Sequence, residues 1–261
     1  MISLHYFCVV KEWFRPIINK ITMKKTLLLA AFMFVCSFAV AQNVQLHYDF
    51  GSMIYGDQSA RPTVTTTVEM FRPDAGGSTY FFVDLDYNRK VTGAYWEISR
   101  ELCFWQNSKW NWLSVHVEYN GGCNTSMAFN NSWLGGLTYS GHSKDFSKTW
   151  SLSAMYKCIP GTTNAIGKSD IHNFQITGVW GIEFADGWCS HSGFFDFWRE
   201  QRSWQNTSYI FLSELQLWVN LNKIPAMEKY NLSLGTEVKL ANNFVDRGFY
   251  AIPTLAAKWT F

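Results

Sequence analysis

The chain has 261 residues, enough for one domain; aromatic residues make up 18% of it, with Trp at 13, and charged residues only 16%. Soluble domains carry about 25% charge, so much of this surface is expected not to face water. Yet the mean hydropathy of −0.10 and the lack of any run of roughly 20 apolar residues exclude a helical membrane protein. A low-charge, aromatic-rich chain without a spanning helix has the composition of a transmembrane β-barrel. A secreted β-sandwich or jelly roll is the alternative.

The N-terminal segment has the pattern of a processed leader. Met23-Lys24-Lys25 supplies a positive region, residues 27–38 an apolar one, and Ala39-Val40-Ala41 a small-x-small cleavage site. Residues 23–41 are therefore expected to be a cleaved signal peptide, with 1–22 an upstream extension from an early start codon and 42–261 the functional domain. Val35 precedes Cys36, which argues against a lipid anchor. Removing residues 1–41 takes away Lys11, Arg15, Lys20, Lys24 and Lys25 and one acid, Glu12. The 22 basic and 20 acidic residues thus become 17 and 19, net −2. The slight basicity belongs to the leader, and no nucleic-acid partner is expected.

From Asn43 onward, segments of about ten residues alternate in polarity between turn signals, the pattern of barrel strands. In 44–51, Val44, Leu46, Tyr48 and Phe50 oppose Gln45, His47 and Asp49. Segment 63–71 follows. Segment 79–87 sets Phe81, Val83, Leu85 and Tyr87 against Tyr80, Phe82, Asp84 and Asp86. Then come 93–104 and 112–119, the latter opposing Leu113, Val115, Val117 and Tyr119 to Ser114, His116 and Glu118. Segments 133–140, 150–158, 173–184, 188–198, 209–221 and 232–240 continue the series. The last, 249–261, sets Leu255, Ala257, Trp259 and Phe261 against Thr254, Ala256, Lys258 and Thr260. Pro253 inside it predicts a bulge or a local break. The count is twelve, so the predicted fold is all-β: a twelve-stranded antiparallel transmembrane barrel.

An even barrel places both termini in the periplasm and the longer loops outside. Connections 52–62, 88–92, 120–132, 159–172, 199–208 and 241–248 are then external and on average the longer set. Trp110, Trp112, Tyr119, Trp133, Tyr139, Trp150, Tyr156, Trp188 and Trp259 fall near strand ends, where aromatic girdles meet the headgroups. Four cysteines remain after cleavage: Cys103, Cys123, Cys158 and Cys189. No CxxC spacing occurs, so no metal is expected. Cys123 and Cys158 fall in neighbouring external loops and form the candidate disulfide; free thiols are the alternative.

The polar strand faces line the interior. Their acids are Asp49, Glu69, Asp84, Asp86, Glu97, Glu101, Glu118, Glu183, Asp196, Glu214 and Glu237. Lys157, Lys239, Lys258, His47 and His116 oppose them. A lumen of one sign sets selectivity, here against anions and for neutral or cationic solutes. Tyr80, Phe82, Tyr95, Phe194 and Trp218 share these faces and offer stacking to a planar polar solute. The candidate solute-binding residues are Asp84, Asp86, Glu97, Glu118, Glu183, Asp196, Glu214, Glu237, Phe82 and Trp218. The alternative is a closed barrel packed with buried ion pairs, structural or adhesive in role. No catalytic residue and no cofactor are expected. In His191-Ser192 the neighbours point to opposite faces of a strand, and His142-Ser143 lies in a turn.

Several segments also carry a resemblance. They are Leu46-His47-Tyr48-Asp49-Phe50, Thr67-Val68-Glu69-Met70-Phe71-Arg72-Pro73-Asp74, Tyr95-Trp96-Glu97-Ile98, His116-Val117-Glu118-Tyr119-Asn120-Gly121-Gly122, Leu234-Gly235-Thr236-Glu237 and the closing Lys258-Trp259-Thr260-Phe261. Over 43–261 the chain resembles an uncharacterised outer-membrane family of Bacteroidota, related in pattern to the nucleoside-specific, Tsx-like channels. The resemblance implies a twelve-stranded barrel in the bacterial outer membrane and passive nucleoside uptake. It carries over no binding residue. The expected partners are outer-membrane lipid, a small polar solute and, through the terminal aromatic, the barrel assembly machinery.

Overall fold

The computed structural model describes residues 42–261 apart from 127, 130, 165, 203 and 204. The expected signal peptide and upstream extension lie outside the described residues. The strands are β1 (Gln42–Asp49), β2 (Val64–Asp74), β3 (Gly77–Asn88), β4 (Lys90–Leu102), β5 (Leu113–Asn124) and β6 (Ser132–His142), then β7 (Lys148–Cys158), β8 (His172–Phe184), β9 (Cys189–Arg202), β10 (Thr207–Asn220), β11 (Leu232–Asn242) and β12 (Phe249–Thr260). Each pairs antiparallel with its neighbours in sequence, and β12 closes on β1. Closure leaves no unpaired sheet edge.

Alternation decides what faces in. Across the β1–β12 seam, Val44 pairs with Trp259, Leu46 with Ala257 and Tyr48 with Leu255, while Gln45 pairs with Lys258, His47 with Ala256 and Asp49 with Thr254. Leu46, Tyr48, Leu255 and Trp259 are exposed, whereas Gln45, His47 and Asp49 are buried. The first set therefore forms the outer face and the second the inner face, and a one-residue slip would exchange them. The outer face continues through Ile98, Val117, Leu137, Leu152, Ile176, Leu217 and Leu234, an apolar band of the kind that transmembrane barrels carry. Aromatic rings cluster near its two edges. Trp112 lies beside Tyr139 and Trp259 beside Phe261 at the rim carrying the chain ends, and Tyr119 lies beside Trp133 toward the far rim.

Pro253 produces no bulge: it pairs in register with Val238. The β1 ladder ends at the Asp49–Thr254 pair, and the Phe50 N–H donates to the Pro253 carbonyl at 3.2 Å. The proline nitrogen thus faces the side on which β1 has already ended, so its missing N–H removes no ladder bond. Other boundaries differ from expectation. The turn expected over 72–78 contracts to Ala75 and Gly76, and the loop expected over 88–92 to Arg89, at φ 64°. Strand β5 runs on to Asn124. The far-rim connections 50–63, 89, 125–131, 159–171, 203–206 and 243–248 overlap in length with 75–76, 103–112, 143–147, 185–188 and 221–231 at the terminal rim. Length therefore separates the two rims less than expected.

The turn over 143–147 is held by one carboxylate. Asp145 accepts from the Ser143 hydroxyl at 2.5 Å, the Ser147 hydroxyl at 2.9 Å and the Ser147 N–H at 3.2 Å. These donors, Ser143 first, hold its carboxyl down at about 2, below the ordinary 3.8. A depressed carboxylate stabilises the fold above its unfolded value and loses that contribution as pH falls through its folded value. Pepsin nicking at this turn is expected to rise as pH falls from about 4 to about 2. In Asp145→Asn the nicking rate should lose that rise; an identical profile in the variant would refute the role of Asp145.

Candidate functional site in the barrel interior

The inner face carries two polar clusters. The first spans β10 to β3 across the seam. Lys239 Nζ lies 2.8 Å from Glu214 Oε1, its cross-strand neighbour. Gln216 donates to Glu237 at 2.9 Å, and the Trp218 indole N–H donates to Gln216 at 3.0 Å. Lys258 sits over the Trp218 ring at 4.3 Å. His47 bridges Gln45 at 2.9 Å and Thr254 at 3.2 Å. On β2 and β3, Thr67 donates to Asp84 at 2.5 Å, Thr65 to Asp86 at 2.7 Å and the Tyr80 hydroxyl to Glu69 at 2.6 Å.

The second cluster spans β4 to β9. Glu97 accepts from the Tyr95 hydroxyl at 2.6 Å. His116 lies between two carboxylates, 2.6 Å from Glu101 and 3.0 Å from Glu118. Glu101 also accepts from the hydroxyls of Ser114 and Thr138. Asp196 accepts from Thr177 at 2.5 Å and Gln175 at 3.2 Å. Lys157 Nζ donates to Gln175 at 2.6 Å and lies 4.6 Å from the Trp198 ring. Two buried acceptors have no hydrogen-bond partner: Glu118 Oε1 and Asn120 Oδ1.

Each cluster also reaches across the interior between strands that are not neighbours. Glu214 of β10 acts electrostatically on Asp84 of β3, and Asp196 of β9 on Glu97 of β4. Against one wall lies a shelf of rings: Phe82 stands 6.1 Å from Tyr80 and 5.9 Å from Tyr95, tilted by 50°. These rings, and Asp84, Glu97, Asp196 and Glu214 around them, are only half-buried, so solvent-reachable space adjoins the shelf. The β9–β12 side is filled instead. Trp218, Ile210, Ala241 and Ile252 are 0% exposed and Trp198 5%.

Three far-rim connections place side chains against the inner face. In 50–63, Arg61 reaches Asp49 at 2.8 Å beside the short helix α1 (Gly51–Ile54). In 125–131, Phe129 lies where a Cβ on Gly122, an inner-face residue opposite Tyr95, would come within 2.6 Å. In 243–248, Phe244 and Val245 pack on Trp198, Ile210, Leu212 and Ala241, and Arg202 donates to the carbonyls of Asn243 and Phe244.

The candidate residues divide accordingly. Asp84, Asp86, Phe82, Glu214, Glu237 and Trp218 belong to the first cluster, and Glu97, Glu118 and Asp196 to the second. Glu183 pairs with Ser190 at the terminal rim and is exposed, apart from both. The Cys123–Cys158 bridge does not form; both thiols are free. Cys123 lies in β5, not in a loop, and Cys158 ends β7. With β6 between them, the two strands stand about 9.5 Å apart at the usual strand spacing, beyond the roughly 7 Å that a disulfide's Cα atoms allow. The amides Gln45, Asn120, Gln175 and Gln216 escape a reading that counts only charges. So do the inward apolar residues Leu134, Met155, Ile210, Leu212 and Ile252. Strand alternation alone would have placed the amides. The unbroken apolar run Ile210-Phe211-Leu212 signals apolar side chains on the inner as well as the outer face.

Of the adjacent His and Ser pairs, His191 faces out, its ring bonded to the Gln216 carbonyl, while Ser192 faces in toward the Gln216 side chain. His142 bonds the Ser143 carbonyl. Neither pair has a nucleophile–base contact. Among the described residues, no group of three or more His, Cys, Asp or Glu is arranged to hold a metal ion.

Residues 41–261 match the model of a family described as a domain of unknown function, DUF5020. The chain belongs to the DUF5020 family. No curated protein matches it. Among solved structures, this DUF5020 barrel is similar to the NanC porin at 8% identity and a TM-score of 0.55, over 84% of this chain and 100% of that one. It also matches LpxR from Salmonella typhimurium (8% identity, TM-score 0.45, 85% of this chain and 100% of that one). A third match is OccAB4 from Acinetobacter baumannii (9% identity, TM-score 0.41, 77% and 54%). The NanC likeness is one of fold: a closed twelve-stranded antiparallel barrel of the outer-membrane porin kind.

Proposed function

We propose that this DUF5020 barrel is an outer-membrane channel for passive, selective uptake of small neutral or cationic solutes, with nucleosides as the solute class. In this reading the terminal rim is periplasmic, the outer face contacts lipid, and the strand ending near Phe261 is presented to the barrel assembly machinery. The observation that carries the reading is the shelf of Tyr80, Phe82 and Tyr95 beside Asp84 and Glu97, all within solvent-reachable space. A planar base stacks on rings of this kind with about 1–3 kcal/mol each, and the carboxylates accept from ribose hydroxyls and base N–H groups. The carboxylates around the shelf repel phosphate, so nucleotides are excluded.

Liposome swelling tests this. Uridine is expected to enter proteoliposomes faster than a size-matched inert sugar, and Phe82→Ala to remove the difference with refolding intact. Equal rates through the unsubstituted barrel would sink the selectivity. A second reading, a structural or adhesive barrel with a closed lumen, is favoured by the filled β9–β12 side, where Trp218, Ile210 and Ile252 have no exposure. Absence of unitary current in planar bilayers would decide for it.

A further inference from the structure

We infer that the interior wall formed by β4 and β5 holds a site for a primary ammonium group, formed by Glu118, Asn120 and Glu97. The inference rests on the interior being reachable, as in the channel reading, and specifies the chemistry recognised there. Glu97 is the cross-strand partner of Asn120, and Glu118 follows on the same inner face of β5. Glu118 Oε2 is taken by His116 at 3.0 Å, while Glu118 Oε1 and Asn120 Oδ1 are buried without a partner. Asn120 is 4% exposed and the Glu118 side chain 11%. Leaving a buried acceptor unsatisfied costs about 1–3 kcal/mol, and more when it is charged. Two adjacent ones within the field of Glu97 call for a donor that is also a cation.

The nearby basic side chains are already committed, His116 to Glu101 and to Glu118 Oε2. Lys157 donates to Gln175 at 2.6 Å and rests against Trp198. It lies within electrostatic reach of Glu118, Glu97, Asp196 and Glu200, so that several carboxylates share one ammonium. A second ammonium, brought by a solute, has three N–H donors to offer Glu118 Oε1, Asn120 Oδ1 and the Glu97 carboxylate. A bare metal ion fits less well, since its oxygen ligands must surround it and these acceptors lie on one wall, β4 and β5.

Isothermal titration calorimetry on the refolded barrel in detergent tests the site without requiring conduction. Ethylammonium is expected to bind, and tetramethylammonium, with equal charge and no N–H, at least about tenfold more weakly. Glu118→Gln should weaken ethylammonium about tenfold or more. Asn120→Leu, which leaves the His116–Glu118 contact intact, should weaken it similarly and covers a failure of Glu118→Gln to fold. Equal binding of tetramethylammonium would overturn the proposal in favour of nonspecific charge attraction. Calcium binding that displaces ethylammonium would overturn it in favour of a metal. Unitary current in planar bilayers without ethylammonium binding would remove the site and leave the channel. Binding without current would remove the channel and leave the site.

Discussion

Replacing Lys239 with methionine is expected to destabilise the refolded barrel by about 3 kcal/mol, the low end for breaking a buried ion pair because both partners keep some exposure. Its Nζ lies 2.8 Å from Glu214, whose own neighbours include Glu237 and Asp84. Methionine preserves the volume and removes the cation, so these carboxylates are left to repel one another in a low-dielectric interior. The double variant Lys239→Met with Glu214→Gln should recover most of the loss, because neither member is then an unpaired charge. Urea titration followed by Trp fluorescence measures both. An unchanged midpoint in the single variant would show that Lys239 does not neutralise the first cluster. Failure of the double variant to recover would put the cost down to packing.

Gly235→Val is expected to prevent closure of the barrel almost completely. Gly235 faces inward on β11 opposite Trp218. A Cβ there would lie 2.2 Å from the Leu217 carbonyl oxygen and 2.6 Å from the Trp218 ring. The nearest atom is backbone and cannot swing away, and Trp218 has no exposure into which to retreat. Overpacking costs about 1–3 kcal/mol where side chains can yield; here the strand itself must move. The folded, heat-modifiable band on a denaturing gel should fall to a small fraction of its normal intensity. Gly56→Ala, which meets nothing within 4 Å, is the control and should fold normally. A normal band for Gly235→Val would mean that β10 and β11 separate more easily than their pairing implies.

Much of this was legible in the sequence because a strand's faces are set by a period of two. Leu255 and Trp259 were expected outside and Lys258 inside, and the seam with β1 places them so. Strand ends were less legible, since a turn such as Ala75-Gly76 needs only two residues and the flanking strands take up the rest. The inward placement of Phe129, Phe244 and Val245 had no local signal. It depends on the neighbours at Gly122 and at Trp198 and Ala241, which come together only once the barrel has closed.

Alternation over twelve segments makes the architecture and the sign of the interior readable from the residues alone: it sorts apolar side chains to the outer face and carboxylates to the inner one. Which carboxylates meet depends on how the strands wind around the closed barrel. Strand number and stagger set barrel width and the level at which opposite walls face each other. That is why Glu97 of β4 feels Asp196 of β9, why Lys239 serves the first cluster and Lys157 the second, and why Cys123 and Cys158, close by loop counting, stand on strands too far apart to join.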